Sequence, residues 1–534
     1  MRKVYYRMPV VAGLLSMLSM NAFAQFNFGT ATGNWSGTQG LYLNPAIIAD
    51  SRERFTIDII SANAGVDNNL GSLNNKGGII GALNDGSTDK MFTYNGSSTF
   101  SVMAPYARVN GPGCMISINH RHSIALTTAV RGMNQFNNFD RSLYETITNP
   151  AYLPSGDATY TSHNYNYTAH MWSELGASYA GVILDAPHHE IRVGATLRYL
   201  GGIGYVGLKG QNLNVQYRNG NDTVYAYNSD IQYASNISSA KGALFNGFAN
   251  NNLFTQFFGT KAGGGLGADF GIVYDYIDGT RDVYEMDGMT DLVDRSANIY
   301  RLRMSASVLD LGAITYKSNN NSNLEASGNG YLTGAGLSNS AGNFSDFKNY
   351  ITAQGFDGDS THKNTRVGMP TRMLFSVDYN AYKHFYINTA CVINIANRQN
   401  FGNSYYNQVT VTPRYDTRLI SVGLPITYSL LSNSMKMGVG FRVSGFFVGS
   451  DDLLGLFASQ QYGFNAYVGG FVPFYKLRRH DRDGDRISDC RDHCPDEPGD
   501  MESNGCPFGK DHAAKEKKEA KEQTEKKEKK WDDD

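Results

Sequence analysis

Near the end of this 534-residue chain, Asp481, Asp483, Asp485, Asp489 and Asp492 fall at positions 1, 3, 5, 9 and 12 of a short loop. That spacing can wrap hard oxygen ligands around one Ca²⁺, with the backbone carbonyl of Ile487 supplying position 7. Five acidic side chains so close together repel one another unless a cation sits among them. Position 6 is Arg486, where calcium loops commonly place glycine for its backbone freedom, and this weakens the affinity expected. Three cysteines lie in or after the loop, Cys490 within it and Cys494 and Cys506 beyond it. They agree with an oxidising compartment and leave three pairings open: Cys494 with Cys506, Cys490 with Cys494, and Cys490 with Cys506.

What positions this loop is a long run of alternating segments. From Arg418 to Leu430, Ile420, Val422, Leu424, Ile426 and Tyr428 alternate with Ser421, Gly423, Pro425, Thr427 and Ser429. After Leu431–Ser434 the alternation resumes, with Met435, Met437, Val439, Phe441, Val443 and Phe447 on the apolar side. Runs of about 11 residues suit a tilted crossing of a bilayer and exceed the usual ~5–6 of globular strands. Mean hydropathy is −0.38 although the chain holds 34 Tyr, 28 Phe and 58 Gly, the mixture of a barrel with one face in lipid and one in a polar interior. A formal net charge of −2 argues against a nucleic-acid binder. Residues 1–24 read as a secretory signal: Arg2, Lys3 and Arg7, an apolar run from Met8 to Met20, then Ala22-Phe23-Ala24 for cleavage.

Strands are expected at 54–66, 98–107, 113–120, 122–133, 171–184, 190–205, 264–276, 300–309, 372–381, 384–396, 416–430, 435–448 and 464–475. With both ends on one side the number is even, so a further strand is expected within 67–95, for about fourteen. In 190–205 the apolar residues Ile191, Val193, Ala195, Leu197 and Tyr199 alternate with Glu190, Arg192, Gly194, Thr196 and Arg198. An arginine facing lipid near the midplane costs roughly 2–4 kcal/mol, so Arg192, Arg198, Arg301, Arg303 and Arg442 are expected in the lumen. There they pair with inward carboxylates such as Glu174, Asp269 and Asp378, or line an anion path. Short turns at 185–189, 382–383 and 431–434 are placed on the periplasmic side, and long loops at 137–170, 207–263 and 317–368 outside. Cys114 and Cys391 share faces with isoleucines and are expected to meet lipid unpaired.

The aspartate loop, continued through Cys494-Pro495 to Cys506-Pro507, resembles a thrombospondin type-3 repeat. That resemblance implies Ca²⁺ at Asp481, Asp483, Asp485, Ile487, Asp489 and Asp492, and a bridge between Cys494 and Cys506. Asn44-Pro45-Ala46 is similar to the entry segment of FadL-like barrels, which implies a short helix in the lumen, capped by Asn44. The whole is similar to FadL-like and PorV-like outer-membrane barrels, nearest to the domain of unknown function 5723 group. The organisation expected is all-β: a signal peptide (1–24), a transmembrane antiparallel barrel of about 14 strands (25–476) with a luminal plug (25–51), a calcium repeat (477–507) and a charged Lys/Glu tail (508–534).

Neither a Ser/His/Asp spacing nor a glycine loop before a helix points to an enzyme. The leading expectation is a scaffold of the cell envelope in the outer membrane, surrounded by lipid. It would show its calcium-stiffened periplasmic stub to envelope proteins of secretion or biogenesis. The alternatives are a FadL-like transporter or porin for a small hydrophobic or anionic solute, and adhesion through long outer loops. Peptidoglycan anchoring is not supported, since no wall-gripping domain follows the repeat.

Overall fold

The computed structural model describes residues 26–73, 92–94, 99–148, 154–218, 223–236, 262–278, 283–318, 321–340, 344–397, 400–457, 462–476 and 479–507. The segments expected as signal peptide (1–24) and Lys/Glu tail (508–534) lie outside them. The described chain divides into two units, one of residues 1–185, 189–276 and 301–474, the other of 186–188, 277–300 and 475–534.

The first unit is a closed antiparallel barrel of fourteen staves. They are β1 (Glu53–Asn68), β2 (Thr99–Asn110 resuming at Gly113–Ser117), β3 (His122–Asp140), β4 (Ala158–Asp185), β5 (His189–Tyr217), β6 (Gly263–Tyr276) and β7 (Leu302–Tyr316). There follow β8 (Thr365–Gly368 and Arg372–Tyr382), β9 (Phe385–Asn394), β10 (Gln408–Asp416), β11 (Ile420–Gly423 and Ile426–Ser429), β12 (Ser434–Met437 and Val439–Val443), β13 (Phe446–Ser450) and β14 (Gly463–Tyr475). Pairing of β14 with β1 closes the sheet, which leaves no edge to satisfy in hydrocarbon.

The alternation turns into an apolar outside. Ile57 and Ile59 of β1, Leu197 and Tyr199 of β5, Leu266 and Phe270 of β6, and Phe441 and Val443 of β12 are all exposed. Between them Thr56, Asp58, Thr196, Arg198, Asp269 and Arg442 are buried in the lumen. At the rim where the chain enters and leaves, Phe55 lies 5.6 Å from Phe474 and Phe385 lies 5.1 Å from Tyr415, part of an aromatic girdle. An apolar belt with aromatics at its border is what a bilayer demands of a barrel.

The expected total of fourteen is right, but by errors that cancel. The segments 98–107 and 113–120 are one stave, interrupted at Gly111-Pro112. The segment 435–448 is two staves, because Ser444 takes φ +53° and, with Gly445, turns the chain back. That turn reverses the phase, so Phe447 points inward, buried, and Phe446 and Val448 point out. The missing stave is β10, whose Pro413 hides it, since an interior proline argues against a strand. Within 67–95 the described residues form only a small hairpin, Gly71–Leu73 with Phe92–Tyr94, outside the barrel sheet.

Five of the six connections at the entry rim are short, 118–121, 186–188, 383–384, 417–419 and 444–445, and the sixth, 277–301, is long. The turn 430–433 lies at the opposite rim, contrary to expectation, because only an odd number of crossings separates it from the others. The described residues of the long segments expected as loops at that far rim are largely sheet. β4 runs 28 residues and β5 runs 29, far beyond the ~9–11 a crossing needs, and Thr223–Ser235, Ser322–Thr333 and Phe356–Thr361 extend the pairing. Val215, Ile231, Tyr233, Leu324, Phe347 and Ile351 give this extension a buried core of its own.

Candidate functional site: a plugged lumen and an aspartate loop

The lumen is filled from within by the residues that precede β1. Asn44 does cap a short helical turn, Pro45–Ile48, accepting from the Ala46 N–H at 2.9 Å. Its amide also donates to the carbonyls of Ile272 and Ala306, each at 3.1 Å, which fixes the turn to β6 and β7. Gly194 and Gly271 make that approach feasible: a Cβ on either would collide with Pro45, Ala46 or Asn44. Further along, Thr38 donates to Asp58 at 2.6 Å, Asn34 N–H to Asp416 at 2.7 Å, and Phe28 N–H to Asp451 at 2.9 Å. These hydrogen bonds tie the plug to five staves or their ends, β1, β6, β7, β10 and β13, and among the described residues no covalent link beyond its own chain holds it.

Around it the staves contribute a continuous belt of charge. Arg131 (β3), Glu174 (β4), Arg198 (β5), Asp269 (β6), Asp310 (β7) and Arg372 (β8) come from consecutive staves and are all buried. Arg131 meets Glu174 at 2.8 Å and Asp310 at 2.7 Å, and Arg198 meets Asp310 at 3.0 Å. Arg372 also pairs with Asp310. Asp310 sits at a break in register with φ +58°, a left-handed conformation that its surroundings must enforce. A second group holds Arg192 and Arg303 on Asp275, Arg414 on Asp378, and Arg442 on Asp416.

Four of the five arginines expected in the lumen are therefore there and paired. Arg301 is the exception: half-buried, it donates to the Tyr379 hydroxyl at 2.8 Å and stacks on that ring. Sequence reading missed Arg131, Asp310 and Arg372. Arg131 stands in Val130-Arg131-Gly132-Met133, a signal of the same kind as Arg198, but Asp310 lies at a bulge where period-two reasoning loses its phase.

The lumen also has an apolar zone. Phe26 and Phe28 of the plug pack with Met103, Tyr106, Met133, Trp172, Tyr405 and Tyr406. Phe26 lies 5.1 Å from the Tyr405 ring. Where Phe26, Tyr106, Lys436 and Asp451 meet, a cavity of about 20 Å³ remains, room for one water.

In the second unit, the connection between β6 and β7 is not a simple turn. It forms a hairpin, Val283–Met286 with Met289–Val293, that grips the aspartate loop. Asp287 N–H donates to the Arg486 carbonyl at 2.8 Å, while the Asp287 carboxylate accepts from Ser488 N–H at 2.8 Å and pairs with Arg479. Burial alone would raise the Asp287 carboxyl. The Ser488 N–H and hydroxyl together with Arg479 outweigh it and hold the group below the usual carboxylate range. Arg486, at φ +70°, adopts the left-handed backbone that favours glycine at position 6 and reaches Glu285 at 3.0 Å.

Asp481, Asp483 and Asp485 converge, with ligand atoms within 4.8 Å of one another. Oδ2 of Asp483 is shielded from solvent and meets no donor among the described residues. Burial and the neighbouring carboxylates Asp485, Asp492 and Asp481 raise its proton affinity. Asp489 and Asp492 are outside this trio: they accept from Arg482 N–H at 3.0 Å and Cys494 N–H at 2.7 Å. Cys494 and Cys506 are joined in a disulfide, and Cys490 is a free exposed thiol.

A family model described as "Family of unknown function (DUF5723)" matches residues 45–451. No curated protein matches the chain. Among solved structures, a Pseudomonas aeruginosa FadL homologue is 10% identical, with 85% of this chain and 96% of that one covered and a TM-score of 0.36. The Ralstonia pickettii toluene transporter TbuX is 8% identical over 86% and 100%, at 0.36. The Pseudomonas putida toluene transporter TodX is 8% identical over 83% and 95%, at 0.34. Likeness at this level carries nothing about the interior.

Proposed function

The chain belongs to the DUF5723 family, which has no established activity, and from its own geometry we propose an outer-membrane channel for a small hydrophobic solute, held shut by the N-terminal plug. The observation that carries this is the apolar zone of the lumen. An open porin has a polar interior. Here Met103, Met133, Trp172, Tyr106 and Tyr405 face inward and pack with Phe26 and Phe28, which hydrogen bonds, packing and the Arg372 guanidinium 5.2 Å over the Phe26 ring retain. Withdrawal of those two rings leaves an apolar recess walled by adaptable methionines, fit for a ligand of similar shape. The chain ends then lie in the periplasm and the sheet extension outside. This reading ranks the transporter above the scaffold favoured from sequence.

The test is uptake into proteoliposomes of naphthalene against glucose, with the parent and a Phe26→Ser, Phe28→Ser variant. Faster naphthalene entry than in protein-free liposomes, increased further by the variant, is the expected result. Entry no faster than without protein in both sinks the transport reading.

The scaffold is the second reading, and the hairpin favours it: Asp287 and Glu285 hold the aspartate loop in a fixed pose, as a presented surface would need. In either case Asp481, Asp483 and Asp485 are the residues that would hold Ca²⁺, with the Ile487 carbonyl, Asp489 and Asp492 as further ligands. The cation would neutralise the trio and stiffen the loop. Calorimetry of the full chain with Ca²⁺ should show one site, lost in Asp483→Ala.

A further inference from the structure

Where the sheet extension meets β8, a cavity of about 220 Å³ opens between β5, Thr223–Ser235, Ser322–Thr333 and the connection ahead of β10. Its walls carry Lys209, Lys363 and Arg366 against a single carboxylate, Glu325, an excess of positive charge. Lys363 and Glu325 pair across the mouth, both about half exposed. Amide side chains of Gln232, Asn323 and Asn400 line it as well.

The wall is built, not incidental. The Phe401 ring packs against Gly207, where any Cβ would strike it, and the Phe401 carbonyl accepts from Gly368 N–H at 2.8 Å. Lys209 Nζ stands 4.8 Å over that ring. Burial lowers the proton affinity of Lys209 and Lys363 lowers it further, while Glu325 and Asp230 restore part of it, so an added anion would favour the charged ammonium.

Three features decide the ligand. The volume is below the ~300–1,000 Å³ of sites for drug-sized molecules, so one ring fits. Clustered cations select an anion, and Arg366 suits a carboxylate by its two-pronged donor geometry. Amides that both donate and accept match hydroxyls, and Phe401 supplies an apolar face. We infer that this cleft binds a single acidic sugar ring, a hexuronate, its carboxylate among Lys209, Lys363 and Arg366.

The experiment is calorimetric titration of the full chain in detergent with glucuronate, glucose and inorganic phosphate, for the parent and for Arg366→Gln and Lys363→Gln. Both substitutions are at exposed positions, and gel mobility before and after boiling reports that the barrel is intact. Expected are glucuronate binding at least about tenfold tighter than glucose, and a loss of about tenfold in each variant, the worth of one charge-assisted hydrogen bond. Equal binding of glucose and glucuronate, no glucuronate binding, or variants that bind like the parent overturns the proposal. Phosphate bound as tightly as glucuronate overturns the sugar assignment. Gly207→Val, which displaces Phe401 and leaves every charge in place, should also weaken glucuronate, and an unchanged affinity there counts against the site.

Discussion

The lumen and the aspartate loop use the same chemistry, arginine on carboxylate, in opposite settings. Asp310 is shared by Arg131, Arg198 and Arg372, and none of the four is more than slightly exposed. In the loop Arg482 spans to Asp496 with 61% and 73% of the two side chains in solvent. A buried pair has already lost its hydration, so removing one partner strands a charge; an exposed pair merely returns to water. The barrel therefore depends on its pairs, whereas the loop leans on its disulfide, its hairpin and any bound cation.

The sharpest way to break this contrast is Asp310→Asn. It leaves three buried guanidinium groups short of a counter-charge and should cost roughly 3–5 kcal/mol. The readout is the temperature at which the compact gel mobility is lost, and a variant that melts with the parent refutes the dependence. Next comes Cys494→Ser, which opens a bridge of sequence separation 12. A loss of roughly 2–4 kcal/mol is expected. Proteolysis should then cut within 479–507 while the barrel stays whole.

The grip of the hairpin should depend on acid. The Asp287 carboxyl is lowered in the fold, so its contribution is present above the unfolded value of about 3.9 and lost as pH falls through the lower folded value. Hydrogen exchange at Ser488 N–H should accordingly stay slow from neutral pH to about pH 4 and speed up relative to its intrinsic rate below that. Protection that fades near neutrality contradicts the assignment. Smallest of all, Arg482→Ala should leave the proteolysis of 479–507 unchanged, and a measurable loss of protection would erase the distinction between the two regions.

Much of the barrel is legible because its signal is local. Side chains alternate with period two, so Ile57, Leu197 and Phe441 announce the lipid face wherever the strand continues. Reading fails where that period is interrupted. Pro413 conceals β10, Ser444-Gly445 inverts the phase and sends Phe447 inward, and the bulge at Asp310 hides the centre of the charge belt. The aspartate spacing is equally local and points to the trio Asp481, Asp483 and Asp485, while nothing near it in sequence foretells Asp287, some two hundred residues earlier.

Residue order alone therefore settles that this chain makes alternating staves with charge turned inward, and that an acidic loop follows them. Closure decides the rest. Which arginine meets which carboxylate, how Asn44 is held between β6 and β7, and why Phe401 needs Gly207 all depend on residues distant in the chain. They meet only once the sheet has curled upon itself, because contact across a lumen is a property of the cylinder and not of any one strand.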